Sequence, residues 1–227
     1  MNIRSIIDCI PILNKAEPAS KAKIVTYGIS DKYQKGTYLF RVRDQVNRIY
    51  IVVSGVAVLE RVNRNNDKRA IFLLSQGDII NEVILEEPVS SINCYALSDI
   101  EVVSFSRTQF LEIMEHDFYL TRMVIESMAK KIRKLYHQVE NTTKMMKLDM
   151  QVASRLWKIA RDYGILLEGH TEIPFDISIT FLADLVGSNR ETISRVIKKM
   201  SEDNILSIKN GKCLIYDMDA LADIARK

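Results

Sequence analysis

Two hydrophobic periods divide the chain. From about Tyr33 to Phe110 the apolar residues come in short runs rich in Val, Ile, Tyr and Phe: Thr37–Val42, Arg48–Val53, Ala57–Val62, Arg69–Leu74 and Glu101–Phe105. Runs of this length, separated by turn residues, predict the strands of a sandwich or barrel. Ser54-Gly55 reads as a hairpin turn between two such runs, Asn63 to Lys68 as a polar loop, and Gln76-Gly77-Asp78 and Glu87-Pro88 as further turns.

After Phe110 the period becomes helical. Ile125, Met128, Ile132, Leu135, Val139, Thr142 and Met146 recur at alternating spacings of three and four, which is a heptad seam. Proline and glycine are absent from Glu112 to Tyr163. A helix from near Asp117 to about Lys147 is therefore predicted, on the order of 45 Å long at about 1.5 Å per residue. Lys130, Lys131, Arg133 and Lys134 share it and predict a solvated face. The apolar stripe serves either a partner helix or the chain's own β-domain. Its narrowness over about three heptads favours the partner helix, hence a homodimer, with Thr142 the weakest position.

From Met150 the pattern gives a helical stretch through Tyr163-Gly164, a loop with Pro174, two short helices around Gly187 and a strand-turn-strand signal over Leu206–Tyr216. The expected organisation is a β-rich domain over 1–110, a long helix and hinge over 111–149, and a small domain over 150–227.

Composition narrows the function classes. Of 227 residues 47% are hydrophobic and 27% charged, an ordinary globular balance. No uncharged apolar run approaches the ~18 residues of a membrane span, and the start lacks a secretory pattern, so a cytoplasmic protein with no membrane partner is expected. Cys9, Cys94 and Cys213 are too few and too scattered for a disulfide framework, a zinc site or an iron–sulfur cluster. They read as buried or idle thiols, with a thiol switch at Cys94 or Cys9 as the alternative. His116, His137 and His170 share no short motif with a cysteine, so neither haem nor a metal is expected. No nucleophile elbow, Walker loop or zincin motif occurs, so an enzyme is not expected.

The net charge of +3 is too small to argue for a nucleic-acid partner. Its distribution argues instead. Arg190, Arg195, Lys198, Lys199, Lys209 and Lys212 crowd Gly187 to Lys212. Within Ile179–Lys198, Phe181, Leu182, Leu185 and Val186 make an apolar helical face, Gly187 interrupts, and a second helix follows. At about 100° per residue, Arg190, Glu191, Ser194, Arg195 and Lys198 share one side, and Ile193, Val196, Ile197 and Met200 the other. Arginine can donate twice to guanine O6 and N7, and glutamate can accept from cytosine N4. Lys198, Lys199 and the Lys209–Lys212 turn suit phosphates. The plainer reading is a solvated helix face with an i,i+4 pair; the glycine turn and following hairpin favour DNA.

The run Leu182-Ala183-Asp184-Leu185-Val186-Gly187-Ser188-Asn189-Arg190-Glu191-Thr192-Ile193-Ser194-Arg195 resembles the helix-turn-helix of the catabolite-activator and fumarate-nitrate-regulator (Crp/Fnr) family of bacterial transcription factors. The resemblance extends over nearly the whole chain. It implies an α+β fold: a cyclic-nucleotide-binding-like β-roll, a long dimerisation helix and a C-terminal winged helix-turn-helix. It implies a homodimer on double-stranded promoter DNA, with Ser188, Asn189, Arg190, Glu191, Thr192, Ser194, Arg195, Lys198 and Lys199 at the interface and a two-fold target with arms similar to TGTGA. Contact with RNA polymerase is left open by it. A rival reading is a cyclic-nucleotide-binding-like interaction module that binds no DNA.

The sensor end departs from the family. Gly77-Asp78-Ile79-Ile80-Asn81-Glu82 resembles the start of the phosphate-binding cassette, with Glu82 where a ribose-contacting glutamate stands, but Ser90-Ser91 falls where an Arg-Ser pair belongs. Without the guanidinium a buried cyclic phosphate has no charged partner. An effector other than cyclic AMP is therefore expected, with Asn81, Glu82, Ser90 and Ser91 as the effector-binding candidates. Two readings of Glu82 stand: a ligand contact, or an exposed or structurally paired carboxylate.

Overall fold

The computed structural model describes residues 2–63, 67–143 and 147–226, with the side chains of 140–143 outside the description. The chain divides into two compact units, Met1–Glu60 with Phe72–Glu140 and Arg61–Ile71 with Asn141–Lys227.

The first unit opens with three short helices the sequence reading did not anticipate, α1 (Ile3–Cys9), α2 (Pro11–Asn14) and α3 (Pro18–Tyr27). Proline at the first helical position starts the last two, where its missing N–H costs nothing. Strands β1 (Ile29–Tyr33), β2 (Tyr38–Phe40), β3 (Arg48–Ser54), β4 (Ala57–Val62), β5 (Lys68–Leu74), β6 (Asn93–Ala96) and β7 (Ile100–Ser106) follow along the chain, with the end of β4 and the start of β5 counted in the second unit. They form two sheets, ordered β1-β7-β3 and β2-β6-β4-β5.

Three strand expectations change. Thr37–Val42 shortens to Tyr38–Phe40, because the Asp44 carboxylate accepts from the Arg41 N–H at 2.7 Å and Arg43 takes φ +73°. Ser54-Gly55 is no hairpin turn: β3 and β4 lie in different sheets, and Gly55 carries the chain across. A Cβ at Gly55 would fall 2.1 Å from the Asp99 carbonyl oxygen, so close backbone approach is what fixes glycine there. The free edge of β3 is taken by the 77–80 segment through Gly77 N to Val52 O (2.9 Å), Val52 N to Asp78 O (3.0 Å) and Ile80 N to Tyr50 O (2.8 Å). Strand β1 was not anticipated, and β6 was expected only as a strand carrying Cys94, without bounds. Their Ser, Asp, Lys and Asn residues dilute the apolar alternation, and pairing with β7 and with β2 and β4 supplies what local propensity does not.

Ser106 caps α4 (Arg107–His116), and Asp117 starts α5 (Phe118–Thr143). The fully buried Asp117 carboxylate accepts from Leu120 N (2.9 Å) and Glu17 N (2.8 Å). Burial works against its ionisation, but these N–H groups and the Ser20 hydroxyl outweigh it and hold the carboxyl below its ordinary range. Lys147 is extended and caps the next helix, so the long helix ends before it, short of the expected boundary.

In the second unit α6 (Leu148–Tyr163) buries Val152, Ala153, Leu156, Ile159 and Ala160, one helical stripe. Strands β8 (Ile165–Leu167) and β9 (His170–Ile173), α7 (Ile179–Val186), α8 (Arg190–Glu202), β10 (Leu206–Lys209), β11 (Lys212–Ile215) and α9 (Met218–Arg226) complete it. The sheet order is β10-β11-β9-β8. The β8–β9 hairpin and α9 were not anticipated, whereas β10 and β11 form the expected strand-turn-strand, with Asn210 and Gly211 both at positive φ. Among the described residues no helix is long and apolar enough to cross a membrane.

Candidate functional site

The helix-turn-helix is built by caps. The Ser178 hydroxyl accepts from Phe181 N (2.9 Å) to start α7, and Gly187, at φ +74° and ψ +43°, ends it, with its own N–H and that of Ser188 returning to the Ala183 carbonyl. One residue later Asn189 Oδ1 accepts from the Thr192 N–H (2.8 Å) and hydroxyl (2.7 Å), starting α8. The two helices are thus closed and reopened within three residues, and Phe181, Leu182, Leu185, Ile193, Ile197 and Met200 fill the core beneath them.

On the outer side of α8, Arg190, Glu191, Ser194, Arg195 and Lys198 are all exposed. Lys198 Nζ stands 3.8 Å from Glu202 one turn further on, both well exposed, a pair of little consequence in water. The face therefore offers two guanidinium forks, a carboxylate, a hydroxyl and an ammonium along about two turns, the donor and acceptor set that major-groove edges require.

The structure separates the remaining predicted interface residues by place. Ser188 is half-buried in the turn, and Asn189 and Thr192 are engaged with each other in the cap. Thr192 and Lys199 line a cleft of about 760 Å³ together with Lys147–Met150 at the start of α6 and Ala220, Asp223 and Ile224 of α9. Arg195 borders both the cleft and the outer face. In the wing, Lys209 is exposed, while Lys212 Nζ stands 3.0 Å from Glu172 on β9, a partner on an element the sequence did not predict.

The sensor candidates are drawn inward. Asn81 is buried; its Oδ1 accepts from Tyr50 N (3.0 Å) and its Nδ2 donates to Arg48 O (2.8 Å), so the side-chain amide clips the segment to β3. Glu82 is also buried, and it takes the paired reading: Lys131 Nζ of α5 donates to Oε2, and the Ser127 hydroxyl donates to Oε1 at 2.5 Å. Ser90 is buried with its hydroxyl donated to Ile92 O (2.7 Å), while Ser91 is exposed. Lys131 was expected in the solvated stripe. Its side chain is only 17% exposed because it turns into the first unit.

The long helix carries two stripes. Leu120, Val124, Ser127 and Lys131, spaced four, three and four, turn inward, with Leu120 and Val124 fully buried and Ser127 and Lys131 meeting the 79–82 segment. About 90° around the axis, Ile125, Met128, Ile132, Leu135 and Val139 are 58%, 37%, 46%, 39% and 64% exposed. Thr142 lies in α5 with its side chain outside the described residues, and Met146 lies outside them altogether.

Of the thiols, Cys9 is exposed and Cys94 and Cys213 are buried. Burial pushes Cys94 far above the usual thiol range and Cys213 up to about 12.

A β-rich sensing unit followed by a helix-turn-helix unit with an exposed polar reading face defines a DNA-binding regulator. The family model described as a cyclic nucleotide-binding domain matches residues 30–117, and that described as a Crp-like helix-turn-helix domain matches 151–224. The chain belongs to the Crp/Fnr family and is a transcription regulator of that type. It is similar to the cyclic AMP receptor protein of Thermus thermophilus, 24% identical over 95% of this chain and 96% of that protein. It is similar also to the global nitrogen regulator of Synechocystis sp., 21% identical over 86% and 87%. Among solved structures, FixK2 from Bradyrhizobium japonicum superposes with a TM-score of 0.74 at 17% identity, covering 87% of this chain and 96% of that one. The helix-turn-helix match does not favour an interaction module that binds no DNA.

Proposed function

We propose that the protein acts in the cytoplasm as a homodimer joined along the exposed stripe of α5, and that it reads a two-fold promoter site of TGTGA-like arms about 34 Å apart. Arg190, Glu191 and Arg195 read bases, Ser194 modifies the choice, and Lys198 and Lys209 hold phosphates. The observation that carries this reading is the exposed polar face of α8, whose one ion pair among the described residues is the loose Lys198–Glu202 contact. The exposed apolar stripe of α5 supports the dimer, since five large apolar side chains in a row are rarely left in water without a partner.

The effector on this reading is not cyclic AMP, although one relative is named for that ligand. Ser90 offers neither charge nor a free hydroxyl hydrogen to a phosphate, and Glu82 already has partners on both oxygens. Haem, an iron–sulfur cluster and other metals are left out of this reading: Cys9, Cys94 and Cys213 lie on three separate elements, and among the described residues no three His, Cys, Asp or Glu side chains gather as a metal site.

Duplex titration at a series of salt concentrations tests the reading. Neutralising several phosphates should give a log–log slope near −0.9 for each phosphate contacted, so a dimer with Lys198 and Lys209 engaged in each subunit should give about −4. A slope near zero would contradict it.

A further inference from the structure

The 77–86 segment is held from three sides by this chain's own groups. Asn81 fastens it to β3. Arg107 at the start of α4 donates to the carbonyls of Ile84 (2.8 Å), Leu85 (2.7 Å) and Glu86 (3.2 Å), closing the end of a short 3-10 turn over Glu82–Leu85. From α5, Lys131 Nζ donates to Ile79 O (2.7 Å), more weakly to Ile80 O (3.4 Å), and to the Glu82 carboxylate.

The three N–H donors of Lys131 are thereby used, and both oxygens of Glu82 are occupied. The pair is close to neutral and shielded from water, with Glu82 3% and Lys131 17% exposed. An anion approaching Lys131 would leave the buried carboxylate unpaired, and a cation approaching Glu82 would leave the ammonium unpaired; either arrangement is disfavoured in a poorly solvated site.

We propose that Glu82, Ser127 and Lys131 form an internal latch. It fixes the sensor segment to the long helix with the chain's own charges and makes Lys131 the positioning residue for DNA-competent α5 in the absence of any anionic effector. The inference rests on the DNA-binding reading for its consequence and on the first unit alone for its geometry. Because Lys131 lies on the same helix as the exposed stripe, one turn from Met128 and next to Ile132, a change in the latch is a change in how the stripe is presented.

The test uses the full-length protein and four variants: Lys131→Met, Lys131→Arg, Glu82→Gln, and Lys130→Met as an exposed control on the same helix. Hydrogen exchange over residues 82–86, sedimentation, thermal melting and affinity for a selected duplex are measured on each. Lys131→Met should raise exchange over 82–86 and weaken duplex affinity, each by about tenfold, since removing one partner strands the other's charge. Lys131→Arg should recover most of both, and Lys130→Met should leave both within about twofold, since an exposed charge contributes little. Glu82→Gln, which removes the charge and keeps both contacts only if its oxygen accepts from Lys131 while its amide donates to the Ser127 oxygen, supplies the same readings at smaller amplitude should Lys131→Met fail to fold. A folded Lys131→Met or Glu82→Gln with unchanged exchange overturns the latch, and raised exchange with unchanged affinity overturns its coupling to DNA. Should the wild type enrich no duplex, the DNA-binding reading fails by itself while the exchange data still decide the latch.

Discussion

Arg190 and Lys198 stand two turns apart on one exposed face of α8, yet different experiments should distinguish them. An arginine fork aimed at a guanine edge discriminates one base, so Arg190→Ala should cost about 1–3 kcal/mol per half-site and relax preference at the same single position of each arm. A lysine on a phosphate sees charge alone, so Lys198→Ala, which removes one such contact from each subunit of the dimer, should weaken all sequences equally and reduce the salt slope by about two. A panel of single-base variants of the target, titrated at two salt concentrations, separates these outcomes; uniform weakening in Arg190→Ala would contradict the base-reading role. The face was legible because it depends on a helical period and an exposed side, both local. Lys131 was not, because a lysine among Lys130, Arg133 and Lys134 looks like its neighbours until Glu82, 49 positions away in sequence, is brought beside it. For the same reason Glu172 as the partner of Lys212 had no sequence signal.

At the scale of elements, α5 shows why one stripe was visible and the other was not. The exposed stripe is uniformly apolar from Ile125 to Val139 and announces its period, whereas the inward stripe is half polar, Ser127 and Lys131 following Leu120 and Val124. The strands were legible where Val and Ile dominate, left without bounds at β6, and missed where polar residues intervene at β1, both of which take their order from neighbours in the sheet. Gly55 carried a true signal for a special backbone but a false one for a hairpin, since an αL glycine serves a crossing between sheets as well as a two-residue turn. Leu135→Lys places a charge in the exposed stripe without disturbing the buried one. It should raise the dimer dissociation constant by at least about a hundredfold, as expected for an unpaired charge in an apolar interface, and duplex affinity should fall with it while the melting of the isolated subunit changes little. Sedimentation equilibrium paired with duplex titration measures both. A monomeric wild type, or a variant that remains dimeric, would contradict the seam.

For the whole molecule, the two units carry separable tasks. The first holds a sensor segment closed on its own side chains, and the second presents a reading helix whose chemistry needs no ligand to be complete. An effector in such a protein regulates only by binding one arrangement of the dimer better than another, and the internal pairing of Glu82 removes the need for an anion to reach the competent one. The central claim is therefore that the protein as isolated is a sequence-specific dimer. Binding-site selection from random duplexes, with purified protein, no added ligand and one fixed salt concentration, tests this directly. Enrichment of a two-fold site with TGTGA-like arms about one helical turn apart is the predicted result; recovery of no sequence, or of one only when cyclic AMP is supplied, would contradict the account.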